Sequence, residues 1–193
     1  MNNIKKELSE KINLYSNEEY LDGYIKKEYL TDDGDADITI RLMNKYDLFD
    51  YRTIGEQLEL KQDIYTFINE KTAMLDNNIQ INLHIIGLDI PEKDRGRARH
   101  IIKEHYAIEL YKVQKEYRRV KKATTILILF GIIMLLLYIL IYLLPGTSFL
   151  LEIFAFLFSF ALWKAFENII YTMSELKNKS ESIAQKLLME IDF

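Results

Sequence analysis

Apolar and polar positions alternate along the chain in three patterns, and the longest apolar stretch organises the rest. Residues 123–144 contain no charged side chain over 22 positions. A helix rises about 1.5 Å per residue, so this run extends about 33 Å, enough for the hydrocarbon core of a bilayer. Pro145, Gly146, Thr147 and Ser148 interrupt it, and a second apolar run over 149–162 carries one acid, Glu152, near its start. Two spans joined by four residues predict an antiparallel transmembrane hairpin. The competing reading is a pair of buried core helices in a soluble protein. An uncharged run well beyond about 18 residues argues against it.

Before the hairpin the periods are shorter. Ile4, Leu8, Ile12 and Tyr15 form one stripe at helical spacing, and Tyr20, Leu21, Tyr24, Ile25 and Tyr29 form another. Ser16 or Asn17 is a fitting N-cap between them, ahead of Glu18 and Glu19. Residues 31–35 (TDDGD) read as a turn. Ala36, Ile38, Ile40 and Leu42 then alternate with polar residues, which predicts a half-buried strand over 36–42. Residues 61–75 place Ile64, Phe67, Ile68 and Leu75 at helical spacing. Ile79, Ile81, Leu83 and Ile85 alternate again, predicting a second strand over 79–86. Two strands joined through a helix form a parallel unit if they are adjacent. Two strands alone make a poor sheet. A third is therefore expected from 46–60 or from another subunit.

From Glu92 the period is helical up to and into the first span. Ile102, Tyr106, Leu110, Val113, Tyr117, Val120 and Thr124 step by fours and threes, close to a heptad seam. After the second span Ile169, Met173, Leu176, Ser180, Ile183, Leu187 and Ile191 do the same. Two long helices are expected, over 92–144 and 149–191, and their seams fit packing within one chain or between chains equally well. The expected organisation is an α+β domain over 1–91, a basic helical stalk over 92–122, spans over 123–144 and 149–166 flanking the 145–148 turn, and a C-terminal helix over 167–193.

Charge orients this layout. Residues 1–91 hold 10 basic and 18 acidic residues, 92–122 hold 11 and 5, and 123–193 hold 4 and 6. The basic block abuts the first span with Arg118, Arg119, Lys121 and Lys122, and the turn lacks Lys and Arg. The positive-inside rule then puts both termini in the cytoplasm of a multi-pass inner-membrane protein. Tyr138 and Tyr142 fit the outer aromatic belt, and Trp163 and Lys164 the inner interface. Residues 1–20 have no apolar core, so no secretory signal peptide is read there. Cysteine is absent from the sequence, which excludes disulfides, thiol catalysis and Cys-ligated metal.

Candidate chemistry is sparse. Asp33, Asp35 and Asp37 begin like a calcium loop, but that loop needs Gly and Glu where Ile38 and Asn44 stand. The pair Asp35 and Asp37 resembles the paired-carboxylate strand of nucleotidyltransferases, without the upstream Gly-Ser loop that family needs. His84 alternates off the apolar face of its strand. His100 and His105 are five apart, off the spacing of a helical metal pair. No metal, cofactor or catalytic site is expected. Arg95, Arg97, Arg99, His100 and Lys103 crowd the first turns of the helix from Glu92, where free N–H groups and positive charge favour an anion. The simpler reading is a solvated basic face paired with the acidic N-terminal part; the sharper one is a phosphate-bearing ligand such as a nucleotide or oligonucleotide, and duplex DNA is not expected. Glu152 is either an interfacial carboxylate or an acid facing a pore or subunit interface.

In layout the hairpin at 123–163, the uninterrupted stalk at 92–122 and the small soluble domain resemble the small two-transmembrane effectors of bacterial anti-phage systems that respond to nucleotide signals. The resemblance is one of architecture and carries no residue role. It implies a ligand-gated effector that opens a pore or disrupts the bilayer; homo-oligomers are expected because the hairpin alone is narrow and the sheet looks incomplete. The alternative from the same residues is a non-conducting anchor that recruits a protein partner.

Overall fold

A computed structural model describes residues 29–43, 47–50, 52, 58–87, 90–143 and 148–193. The two helical stripes expected before residue 29 and most of the turn at 145–148 lie outside the described residues. The described chain is mostly helical, with one three-stranded sheet and two long apolar helices. It divides into two compact units, Met1–Tyr106 with Ala184–Phe193, and Ala107–Ile183.

The first unit is built on the sheet. Gly34 takes a left-handed φ of 89°, and its N–H donates to the Thr31 carbonyl at 3.0 Å. A side chain is strained in that conformation, so this is the position where the turn needs glycine. Strand β1, Ala36–Leu42, follows with Ala36, Ile38, Ile40 and Leu42 buried and the residues between them exposed. Helix α1, Gln62–Thr72, turns Ile64, Tyr65 and Ile68 inward. Strand β2, Ile81–Gly87, buries Ile81, Leu83 and Ile85. β1 and β2 pair in parallel from Ala36 with Ile81 to Leu42 with Gly87, the adjacent arrangement the alternation predicts.

The third strand comes from neither expected source. β3, Glu190–Asp192, pairs in parallel with β2 at Asn82, Leu83 and His84. The order is β1-β2-β3, so the C-terminal residues of the same chain complete the sheet. Residues 46–60 contribute only an isolated bridge between Phe49 and Leu60 among the described residues. The helix expected to reach 191 instead ends at Leu188. Met189 and Ile191 are buried while Glu190 and Asp192 face out, a period of two that a helix cannot present.

Helix α2, Glu92–Tyr142, begins in this unit. Ala98, Ile102 and Tyr106 are fully buried, spaced by four along one face. Tyr106 meets Tyr65 edge-on at 6.3 Å, and His105 stacks on Tyr65 at 3.8 Å. Burying each large side chain here stabilises the unit by about 1.5–3 kcal/mol.

The second unit is a helical hairpin. The shielded positions on α2 include Val113, Tyr117, Val120, Thr124, Leu127, Gly131, Met134, Tyr138 and Ile141. Their steps alternate four and three, so the heptad seam runs on through the apolar run. The return leg is α3, Ser148–Glu167, a π-helical turn at Asn168–Thr172, and α4, Met173–Leu188. The legs pack antiparallel within the chain. Tyr138 meets Phe158 with ring centroids 6.2 Å apart, Gly131 lies against Ala161 and Leu162, and Asn168 Nδ2 donates to Thr124 Oγ1 at 3.2 Å.

Small residues make the close approach possible. A Cβ at Gly131 would stand 3.1 Å from Leu162 Cδ2, and the facing Ala161 and Ala165 are buried. This is the small-residue packing that lets apolar helices meet closely. The return seam passes through Ala161, Ala165 and Asn168, then Leu176, Ser180 and Ile183. Asn168 and Leu176 are eight residues apart rather than seven. The π turn, with its i→i+5 bonding, takes up the extra residue and keeps both ends of the leg on one seam. Ile169, expected on the seam, is thereby exposed.

Candidate functional site: a basic ladder and an apolar belt

The basic cluster at the start of α2 separates into two groups. Arg95, Arg99 and Lys103 recur every four residues, one position round the helix from the buried Ala98 and Ile102. Their side chains meet the C-terminal segment. Arg95 Nη1 donates to the Phe193 carbonyl at 3.5 Å, and Arg99 Nε donates to the Ile191 carbonyl at 3.0 Å. Lys103 Nζ donates to the carbonyls of Leu187 and Met189. These four carbonyls belong to alternate residues, 187, 189, 191 and 193.

The match is geometric. Residues four apart on a helix are separated by about 6 Å along its axis, and alternate residues of a strand by nearly 7 Å. β2 holds one edge of β3; of the four carbonyls only that of Ile191 lies in β3, those of Met189 and Phe193 flank it, and that of Leu187 belongs to the last turn of the preceding helix. At Ile191 the ladder gives the edge strand a main-chain partner where it would otherwise need a neighbouring strand, and at Leu187 it caps a carbonyl at the end of the preceding helix. Lys103 titrates below the ordinary lysine range, chiefly because burial disfavours its charge; nearby Glu190 opposes the shift and Arg99 adds to it. The Arg99 guanidinium also lies 5.9 Å from the centre of the Phe193 ring.

Arg97 and His100 point away from this ladder and are exposed. His100 Nε2 is 3.9 Å from Glu104. Of the five residues read together as an anion site, Arg95, Arg99 and Lys103 thus donate to main-chain carbonyls, while Arg97 and His100 lie outside that ladder; Arg97, Arg99 and His100 are all exposed. His84 also has a place: its two ring nitrogens lie 3.7 Å from Asp37 and 4.0 Å from Asp192, on the polar face of the sheet. Asn82 Nδ2 donates to Asp37 at 3.0 Å across the same two strands.

The hairpin carries the other candidate residues. Arg118, Arg119, Lys121 and Lys122 are all exposed on α2. Trp163 is 68% exposed, and Lys164 Nζ is 3.0 Å from Glu167 Oε2. The antiparallel register puts Lys164 opposite residues 128–129, more than a turn beyond Lys122 along the hairpin. Pairing with Glu167 turns its charge back toward the basic end. Tyr142 faces outward as an aromatic belt requires, whereas Tyr138 turns into the seam against Phe158. Glu152 is exposed, away from the α2 seam.

The most extensive feature of this unit is its apolar exterior. From Ile126 to Leu143 every exposed residue of this leg is apolar except Tyr142, and α3 adds Phe149, Phe156, Phe160 and Phe166. Only 11% of the most apolar window of either leg is buried. A core helix of a soluble protein would be mostly covered. Exposed apolar surface on this scale marks a protein or membrane contact.

Sequence reasoning misses β3, the small-residue contact and the Thr124–Asn168 pair. The residues Met189 to Asp192 do alternate, but over too few positions to stand against a helical stripe. Ala161 and Ala165 carry a readable signal, two small residues four apart in an apolar helix. Neither a protein family, a curated protein nor a solved structure matches this chain.

Proposed function

We propose that the chain is a two-pass inner-membrane protein with both termini cytoplasmic, acting as a membrane-perturbing effector in anti-phage defence. The observation that carries the membrane reading is the continuous apolar exterior of the hairpin. The basic residues at 112–122, set against a turn without Lys or Arg, orient it with the sheet unit inside.

The connectivity supports a coupled effector. α2 leaves the sheet directly after β2, and the return leg ends in β3, the neighbour of β2. Both legs of the hairpin are thus fastened to adjacent strands of one sheet. A signal that loosens the sheet acts on both legs at once. Homo-oligomerisation belongs to this proposal, because one hairpin is too narrow to enclose a pore. The sheet no longer argues for it, since the chain supplies its own third strand. A nucleotide or oligonucleotide signal remains the proposed ligand class, with Arg97 and His100 the exposed members of the basic group that the carbonyl ladder does not engage.

One observation favours the alternative, a non-conducting anchor for a protein partner. The outward face of α2 offers no polar stripe to line a water path, and Glu152 stands alone among apolar neighbours near the start of α3. The two readings part on induced expression. An effector arrests growth and admits a dye that intact cells exclude, and Glu152→Gln alters dye entry if that acid lines the path. Unimpaired growth and dye exclusion at full expression, with function retained when an unrelated hairpin replaces 123–166, would establish the anchor instead.

A further inference from the structure

Where α2 reaches its apolar run, three cations share one outward face. Arg118, Lys121 and Lys122 are exposed, and among the described residues no ion pair engages them. With Thr125 and Ile126 they line a hollow of about 450 Å³. The spacing i, i+3, i+4, i+7 and i+8 puts all five on one side of the helix, away from the seam at Tyr117, Val120 and Thr124. The Thr125 hydroxyl is satisfied by the Lys121 carbonyl at 3.0 Å. Beyond Ile126 the exposed side chains of Leu129 and Phe130 continue the apolar track.

Positive charge at one end and an apolar track at the other match one ligand chemistry, a phosphate joined to an acyl chain. We infer that this hollow binds one anionic phospholipid of the cytoplasmic leaflet. Arg118, Lys121 and Lys122 hold its phosphate, and an acyl chain lies along Ile126 and Leu129. A zwitterionic lipid brings its own cation next to three others and is disfavoured. A neighbouring hollow, lined by Lys112, Lys115, Glu116, Arg119 and Val120, has a carboxylate in its wall and lies farther from the apolar run. It contributes general attraction to an anionic surface rather than a lipid site. The inference rests on the membrane reading above.

The test reconstitutes the full chain in phosphatidylcholine vesicles with a trace of spin-labelled phosphatidylglycerol or, separately, spin-labelled phosphatidylcholine. Electron paramagnetic resonance reads the motionally restricted fraction of each. With three cations set against one anionic headgroup, the wild type should prefer phosphatidylglycerol at least several-fold. Arg118→Gln with Lys121→Gln and Lys122→Gln should bring the two lipids level. Lys112→Gln with Lys115→Gln and Arg119→Gln should keep most of the preference. Single substitutions at 118, 121 and 122 should each remove part of it, which decides the matter if the triple variant does not fold. Equal restriction of both lipids by the wild type, or a preference that survives the first set or vanishes equally with the second, overturns the site. Flotation of the same samples separates the two claims. A chain that does not float overturns the membrane reading and the site together; one that floats without headgroup preference overturns the site alone.

Discussion

At the scale of single residues, the account turns on groups whose surroundings fix their chemistry. Tyr65 is nearly fully buried against His105 and Tyr106, and burial, with nearby Glu59 and Glu104 adding, pushes its phenol up to about 12 from the usual 10.0. Between these values the unfolded chain has lost the proton and the folded one keeps it. Stability from this group is complete below pH 10 and falls as pH rises through 12. Tyr65→Phe should therefore flatten the loss of stability above pH 10 in denaturant titrations of the detergent-solubilised protein. A second residue-scale expectation concerns Gly131. Gly131→Val forces branched carbons into a space where Leu162 already lies 3.1 Å from an ideal Cβ. Overpacking of this kind costs about 1–3 kcal/mol. Because the chain lacks cysteine, a Thr124→Cys, Asn168→Cys pair gives a clean reading. Its disulfide should form readily in the wild-type background and in much lower yield with Gly131→Val.

At the scale of elements, β3 and the π turn carry the most information. β3 has three residues, and side chains of α2 hold the Ile191 carbonyl within it and carbonyls on either side of it. Lys103→Met removes the donor to two carbonyls at once, a loss of about 1–2 kcal/mol. Amides of 190–192 should then exchange with deuterium roughly tenfold faster, while those of 36–42 change little. The π turn holds one residue more than the heptad needs. Deleting Ile170, which is exposed, should leave an unbroken α-helix with the seam intact and the thermal midpoint unlowered. Inserting a residue there should rotate α4 by about 100° off its seam and lower the midpoint. The elements also mark how far the sequence is readable. β1, β2 and the seam of α2 were legible because each repeats its period over many residues. β3 was not, because its alternation spans four positions and is only realised by pairing with a strand about a hundred residues earlier. The basic cluster was legible as a cluster, but its acceptors are main-chain carbonyls, which leave no trace in side-chain identity. Asn168 was passed over because the extra residue of the π turn moves the seam onto it from Ile169.

At the scale of the whole molecule, the central claim is that the hairpin crosses a membrane once in each direction and returns its C-terminal strand to the sheet it left. A strand that pairs with β2 must lie on the same side of the membrane as β2, so topology and fold stand or fall together. The absence of cysteine makes the direct measurement simple. Single cysteines are placed at Lys93, Thr147 and Lys179, and cells are treated with a maleimide that does not cross the inner membrane, after the outer membrane, where present, has been permeabilised. The account predicts labelling at Thr147→Cys alone in intact cells, and at Lys93→Cys and Lys179→Cys only after lysis. Labelling of Lys179→Cys with Lys93→Cys protected would put β2 and β3 on opposite sides and contradict the fold. Equal protection of all three until lysis would contradict the crossing itself.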